Sequence, residues 1–91
     1  MTFEWDEGKN QSNKLKHNIS FKEAQYTFFD QNRIIYQDER HSLMEERLFC
    51  IGKIDNGIVT VRFTMRNRSI RIFGAGYWRE GRKLYEKRNK I

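Results

Sequence analysis

Two histidines, a set of arginines and two adjacent glutamates are the residues of this chain with the types and spacing for acid–base chemistry on a phosphate. His17 and His41 are the only histidines, and imidazole is the natural proton carrier near neutral pH. Breaking an RNA strand by attack of its 2′-hydroxyl needs a base, an acid and positive charge at the phosphate. His17 or His41, with Glu45 or Glu46, could move the protons. Arg47, Arg66 and Arg71 could hold the phosphate, because guanidinium groups grip it through two parallel hydrogen bonds. The simpler reading gives the histidines structural roles and makes Glu45 and Glu46 charge balance for Arg40 and Arg47. Two histidines without a cysteine at ligand spacing do not make a metal site, and no cofactor is expected.

These residues need elements to position them. Phe3-Glu4-Trp5 reads as a strand. Asp6 is an N-cap for a helix over Glu7–His17, in which Leu15 is the only large apolar residue. Lys9, Asn13 and Lys16 or His17 share one face of it, either as a solvated cap or as part of a binding surface. Ser20 and Glu23 fit a capping box, with Ile19 and Ala24 placed for a hydrophobic staple. A second helix runs to about Phe29. Arg33–Gln37 reads as a strand and Asp38–Glu46 as a polar loop. Two runs of β character, Arg47–Asp55 and Ile58–Arg66, flank Asn56-Gly57, a strong hairpin signal. Ser69–Phe73 follows a tight turn at Asn67-Arg68, and Tyr77 to about Lys87 forms a last helix. The order β-α-α-β-β-β-β-α predicts an α+β fold, with N-terminal helices and a C-terminal helix against a mainly antiparallel sheet.

Strand alternation divides the sheet into two faces. Leu48, Cys50, Gly52, Ile54, Val59, Val61, Phe63, Met65, Ile70 and Ile72 carry no charge and mark the core. Arg47, Phe49, Ile51, Lys53, Thr60, Arg62, Thr64, Arg66, Arg71 and Phe73 mark a basic, hydroxylated and aromatic outer face. With Asn56-Gly57 as the turn, Arg47 stands opposite Arg66, an arrangement that costs roughly 0.2–1 kcal/mol unless a carboxylate or a phosphate lies between them. With Asn67-Arg68 as the next turn, Arg71 stands opposite Thr64 and Phe73 opposite Arg62. Phe49 and Phe73 could stack on bases. An ordinary solvated face with ion pairs is the alternative.

Composition agrees. The 91 residues fit one small domain, which buries only about 60–65% of its unfolded surface. Seven phenylalanines can supply much of that area. Eighteen Lys and Arg against 12 Asp and Glu give a net charge of +6, which attracts polyanions. The single cysteine, Cys50, allows no internal disulfide and suits a reducing compartment. No signal peptide or membrane-spanning run is visible, so a cytoplasmic location is expected.

Taken together, the residues resemble the BrnT family of toxins. The resemblance is carried by Phe3-Glu4-Trp5-Asp6, Lys9, Asn13, Lys16-His17, Ser20-Phe21, Glu23-Ala24, Phe29-Asp30 and Asp38. It continues through Arg40-His41, Glu45-Glu46-Arg47, Ile51-Gly52, Thr64, Arg66, Ile70-Arg71-Ile72 and Tyr85-Glu86. It implies a RelE-like fold, an endoribonuclease that arrests translation, and a cognate BrnA-type antitoxin, a dimeric ribbon-helix-helix DNA-binding protein through which the pair would repress its own operon. Cleavage would be metal-independent. His17, His41, Glu45, Glu46, Arg47, Arg66, Arg71 and Tyr85 would act at the reaction centre. Lys9, Asn13, Lys16, Arg40, Phe49, Arg62, Thr64 and Phe73 would bind the RNA. One departure stands out. After Ile72 the family pattern runs Ser-Ala-Arg, whereas here Phe73-Gly74-Ala75-Gly76-Tyr77-Trp78 lacks the arginine. Arg79 and Arg82 would be the cations available to replace it. A non-catalytic nucleic-acid-binding module and a pure protein-interaction domain are the alternative functions.

Overall fold

The computed structural model describes residues 1–91. The elements are β1 (Thr2–Trp5), α1 (Glu7–His17), α2 (Phe21–Ala24) continuing as a 3₁₀ segment (Gln25–Phe29), β2 (Ile34–Gln37), β3 (Leu48–Ile54), β4 (Gly57–Arg66), β5 (Ser69–Gly76) and α3 (Arg79–Asn89). A short 3₁₀ turn, Glu39–His41, interrupts the loop after β2. The element order is the expected one, but helix placement differs: the last helix begins at Arg79 rather than Tyr77, and the second gives way to a 3₁₀ segment at Gln25. The strands form a single sheet in the order β1-β5-β4-β3-β2. The sheet is mixed rather than purely antiparallel, because β1 runs parallel to β5, pairing Phe3 with Ile70 and Trp5 with Ile72. Strand direction at an edge is set by the long connection that returns to it, and nothing in Phe3-Glu4-Trp5 itself encodes it.

Register departs from expectation in two places. The β3–β4 turn is Asp55-Asn56, with Asp55 at φ 53° and Ile54 paired with Gly57. Asp tolerates the left-handed region. Gly57 instead opens β4, with the Tyr77 ring lying against its bare backbone. The correction moves each pairing along by two residues: Ile51 faces Thr60 and Phe49 faces Arg62. A shift of two preserves the faces. It removes the expected opposition of Arg47 and Arg66, since Arg47 precedes β3 and Arg66 pairs with Ser69. Asn67-Arg68 does form the next turn, with both residues at positive φ, and Thr64 faces Arg71 as expected. Beyond it lies a β-bulge. Phe63 pairs with Ile72 and Arg62 with Gly74, so Phe73 is the extra residue and does not stand opposite Arg62. The strand then continues through Gly76, with Ala75 buried in the core.

One sheet face packs against α2 and the 3₁₀ segment, while α1 caps the edge of β5. Phe21, Ala24 and Phe28 meet Cys50, Val59, Val61, Phe63, Ile70 and Ile72 there, and Met65, near the hairpin end, is exposed. Helix α1 is anchored by polar rather than apolar side chains. Leu15 is 89% exposed, while Asn10 and Asn13 are buried. The Asn13 amide donates to Ile19 O and Ala75 O, both at 3.0 Å, and its carbonyl accepts from Ala75 N at 3.2 Å. The pairing of β1 with β5 ends at Ile72, so Asn13 completes the edge of β5 where no strand covers it. Asn10 accepts from Phe21 N at 2.8 Å, tying α1 to α2. The Asp6 cap and the Ser20–Glu23 capping box form as expected.

On the opposite face α3 covers only part of the sheet. Tyr85 and Leu84 pack on Ile34, Ile51 and Ile58, and Gly81 lies against Thr60, where a side chain would collide. Ile51 and Thr60, expected on an open face, are therefore sealed. The Tyr85 hydroxyl donates to Asp30 Oδ2 at 2.5 Å, and Asp30 also accepts from the backbone N–H groups of Lys53 and Asn32. Burial, followed by the bond to Asp30, pushes the Tyr85 phenol up to about 12.

Two predictions follow from these anchors. Asn13→Ala leaves buried Ala75 and Ile19 groups unsatisfied, so it should cost about 2–3 kcal/mol in chemical denaturation. Leu15→Ala should cost less than about 0.5 kcal/mol. Between the ordinary phenol value of 10.0 and about 12, the unfolded chain ionises Tyr85 while the folded protein keeps it neutral. Stability should therefore fall as pH rises through that window. Tyr85→Phe should remove that part of the alkaline loss, read as a flatter melting temperature between pH 10 and 12.

Candidate functional site

The part of the second face that α3 leaves open holds a cleft of about 260 Å³, lined by Lys9, Asp38, His41, Arg47, Arg62 and Phe73. The bulge at Phe73 is its floor. The Arg47 guanidinium carbon lies 3.8 Å from the Phe73 ring centroid and the Lys9 ammonium 5.4 Å from it. Cations over an aromatic face are attracted by its quadrupole, and stacking leaves the edge of a guanidinium free to donate. Lys9 sits one helical turn before Asn13, so the Asn13 bonds to β5 also set where its ammonium group stands. Its backbone N–H is held by the Asp6 cap at 2.9 Å.

Arg47 is held from two sides. Its Nε lies 3.4 Å from Glu45 Oε1, a contact too poorly aligned to hydrogen-bond, so that buried N–H has no partner. Glu45 binds Arg66 instead, through Nη2 at 3.1 Å and Nε at 3.3 Å. The hydrogen bond from Arg66 holds the Glu45 carboxyl below the usual carboxylate range. The loop carrying both residues is closed at its base: Asp38 N donates to Arg47 O at 2.7 Å. The Ser42 hydroxyl donates to Asp38 O at 2.6 Å and accepts from Arg47 N at 3.0 Å.

His41 stands at the cleft with Nδ1 at 2.8 Å from Asp38 Oδ2. With Nδ1–H given to Asp38, the other ring nitrogen carries the lone pair. Asp38 is buried and was not among the expected site residues. The signal that could have found it is the spacing Asp-x-x-His, which one 3₁₀ turn closes. Arg62 completes the lining. Neither Arg62 nor Lys9 forms an ion pair, so two uncompensated cations and a partly compensated arginine surround a space with one carboxylate. Such a place attracts an anion.

The remaining expected site residues are dispersed. His17 meets the Trp78 ring edge to face at 5.3 Å and does not line the cleft. The Glu46 backbone carbonyl accepts from the buried Thr64 hydroxyl. Arg71 pairs with Glu4 at 3.5 Å. Phe49 stacks on Tyr36 at 4.9 Å. Lys16 is exposed at the end of α1, and Arg40 is exposed beside His41, lining a shallow depression with Leu43, Met44 and Arg47. Asn13 and Tyr85 are committed to packing, as described above. Arg79 and Arg82 lie on α3, where Arg82 pairs with Glu86 at 3.2 Å. They do not reach the cleft, whose cations are Lys9, Arg47 and Arg62. No group of three His, Cys, Asp or Glu side chains comes together as a metal site. Cys50 is buried, and burial pushes its thiol up to about 12, which makes it a poor nucleophile.

A search of curated proteins finds no match to this chain. A family model described as the ribonuclease toxin BrnT of type II toxin–antitoxin systems matches residues 5–81, a stretch that contains every residue lining the cleft. The chain belongs to the BrnT family of ribonuclease toxins of type II toxin–antitoxin systems.

Proposed function

We propose that the cleft binds the scissile phosphate of RNA and that the protein cuts the strand without a metal ion. The observation that carries this reading is the stack of Arg47 and Lys9 on Phe73, beside His41 and Arg62. Arg47 and Arg62 bear the charge that develops on the phosphate oxygens. His41, oriented by Asp38, takes the 2′-hydroxyl proton as the 2′-oxygen attacks phosphorus. The bond to O5′ breaks, and Lys9 supplies the proton that the leaving oxygen needs. The products are a 2′,3′-cyclic phosphate and a 5′-hydroxyl end.

In the cell this activity destroys messages and arrests translation in the cytoplasm. A cognate BrnA-like antitoxin with a ribbon-helix-helix DNA-binding part neutralises it, and operator DNA is reached only through that partner. The net charge of +6 favours an acidic partner segment. Leu43 and Met44, almost fully exposed beside the cleft, are apolar surface such a partner would cover.

The purified protein should cut free single-stranded RNA in the presence of EDTA. Arg47→Ala should lower the rate by about 10²-fold or more, the usual loss when one transition-state donor is removed. His41→Ala should lower the rate by about 10²–10⁴-fold. Activity abolished by EDTA and restored by magnesium would overturn the mechanism.

A further inference from the structure

Arg62 belongs to two places at once. It lines the cleft, and its guanidinium carbon also lies 5.9 Å from the Trp78 ring centroid. Both side chains rest on bare backbone of β5. A Cβ on Gly74 would stand 2.8 Å from Arg62 Nη2, and a Cβ on Gly76 would stand 2.9 Å from the Trp78 ring. The two glycines thus let a guanidinium and an indole lie flat along one strand, leading away from the cleft. Next along the chain is Tyr77, 55% exposed. It lines two cavities of about 230 and 340 Å³ that also share Arg82 and Glu86. Lys53, Arg79 and Lys83 border these cavities and form no ion pair. The only acidic side chain lining them, Glu86, is engaged by Arg82 at 3.2 Å.

We propose that the strip from Arg62 over Trp78 to Tyr77 and Lys83 is a second subsite for single-stranded RNA, taking the nucleotides that flank the phosphate in the cleft. It rests on the reading of the cleft as a phosphate site and adds a direction and a length to it. An exposed aromatic ring among unpaired cations is what flanking nucleotides need. Bases stack on the ring whatever their identity, and the cations follow the backbone. Arg62, shared by both places, keeps the two phosphates in register. An acidic protein segment would use the cations but gains nothing from flat rings bedded on glycine.

The test is fluorescence anisotropy with labelled, fully 2′-O-methylated RNAs of two, four, six and eight nucleotides, which bind without being cut. For the wild-type protein, affinity should climb about tenfold or more between two and six nucleotides. Tyr77→Ala, at an exposed position, should abolish that climb. Lys83→Gln should reduce the salt slope of the six-nucleotide complex by about 0.7. A climb unchanged in Tyr77→Ala would overturn the subsite while leaving the cleft intact. Loss of binding to purified cognate antitoxin in Tyr77→Ala, with RNA binding unchanged, would overturn it in favour of a protein interface. A wild-type protein that binds RNA of no length would overturn the subsite and the proposed function together.

Discussion

One asparagine carboxamide does the work of a missing strand. β5 runs past the end of β1, and the backbone groups of Ala75 on that side would meet no partner without Asn13. A buried unpaired peptide group costs about 1–3 kcal/mol, so the edge constrains α1 to one position. Everything on the second face near β5 inherits that constraint. Lys9 reaches the Phe73 ring because it lies a turn from Asn13, and His17 reaches Trp78 from the same helix. A helix with an exposed leucine and buried asparagines looks misassembled by the usual apolar criterion. It is consistent once α1 is understood as an edge cap that carries Lys9 to the cleft rather than as a core element.

The cleft depends on a second local irregularity. The bulge at Phe73 inserts one residue into β5 and restores the alternation beyond it, so that Ala75 turns into the core and Gly74 and Gly76 meet the second face. The extra ring becomes the surface on which Arg47 and Lys9 rest. Bulges commonly re-aim side chains in this way next to sites. Crowded cations on one side of the sheet are tolerated because Glu45 serves both Arg47 and Arg66 and Glu4 serves Arg71. Lys9 and Arg62 at the cleft are left without an ion pair.

Much of this was legible in the residues. The Asp6 cap, the Ser20–Glu23 box, the Asn67-Arg68 turn and the division of β3, β4 and β5 into an apolar and a basic face all follow from local spacing. The faces survived an error in register because the displacement was two residues, which leaves parity intact. What could not be read were effects that need a distant partner. The Tyr77 ring lies against Gly57, 20 residues earlier, and the bulge at Phe73 turns Ala75 into the core. The partial cover of the second face by α3 depends on Gly81 meeting Thr60. In the cleft, Arg47 and His41 are legible as types, whereas Asp38 shows in the sequence only as the spacing Asp-x-x-His, which gains meaning when the 3₁₀ turn closes it. The contact of Trp78 with Arg62 is likewise invisible in the sequence, because it depends on two glycines that only the strand brings beneath them.

The central claim is that the Arg47 guanidinium, stacked on Phe73 in the cleft, is the phosphate anchor. The most direct measurement is an NMR titration of the arginine Nε–H signals with a non-cleavable dinucleotide carrying a 2′-O-methyl group at the scissile position. The Arg47 and Arg62 signals should move together and saturate with one affinity, while those of Arg71 and Arg88 stay in place. A dinucleotide that binds without moving Arg47, or that moves Arg71 instead, would contradict the account.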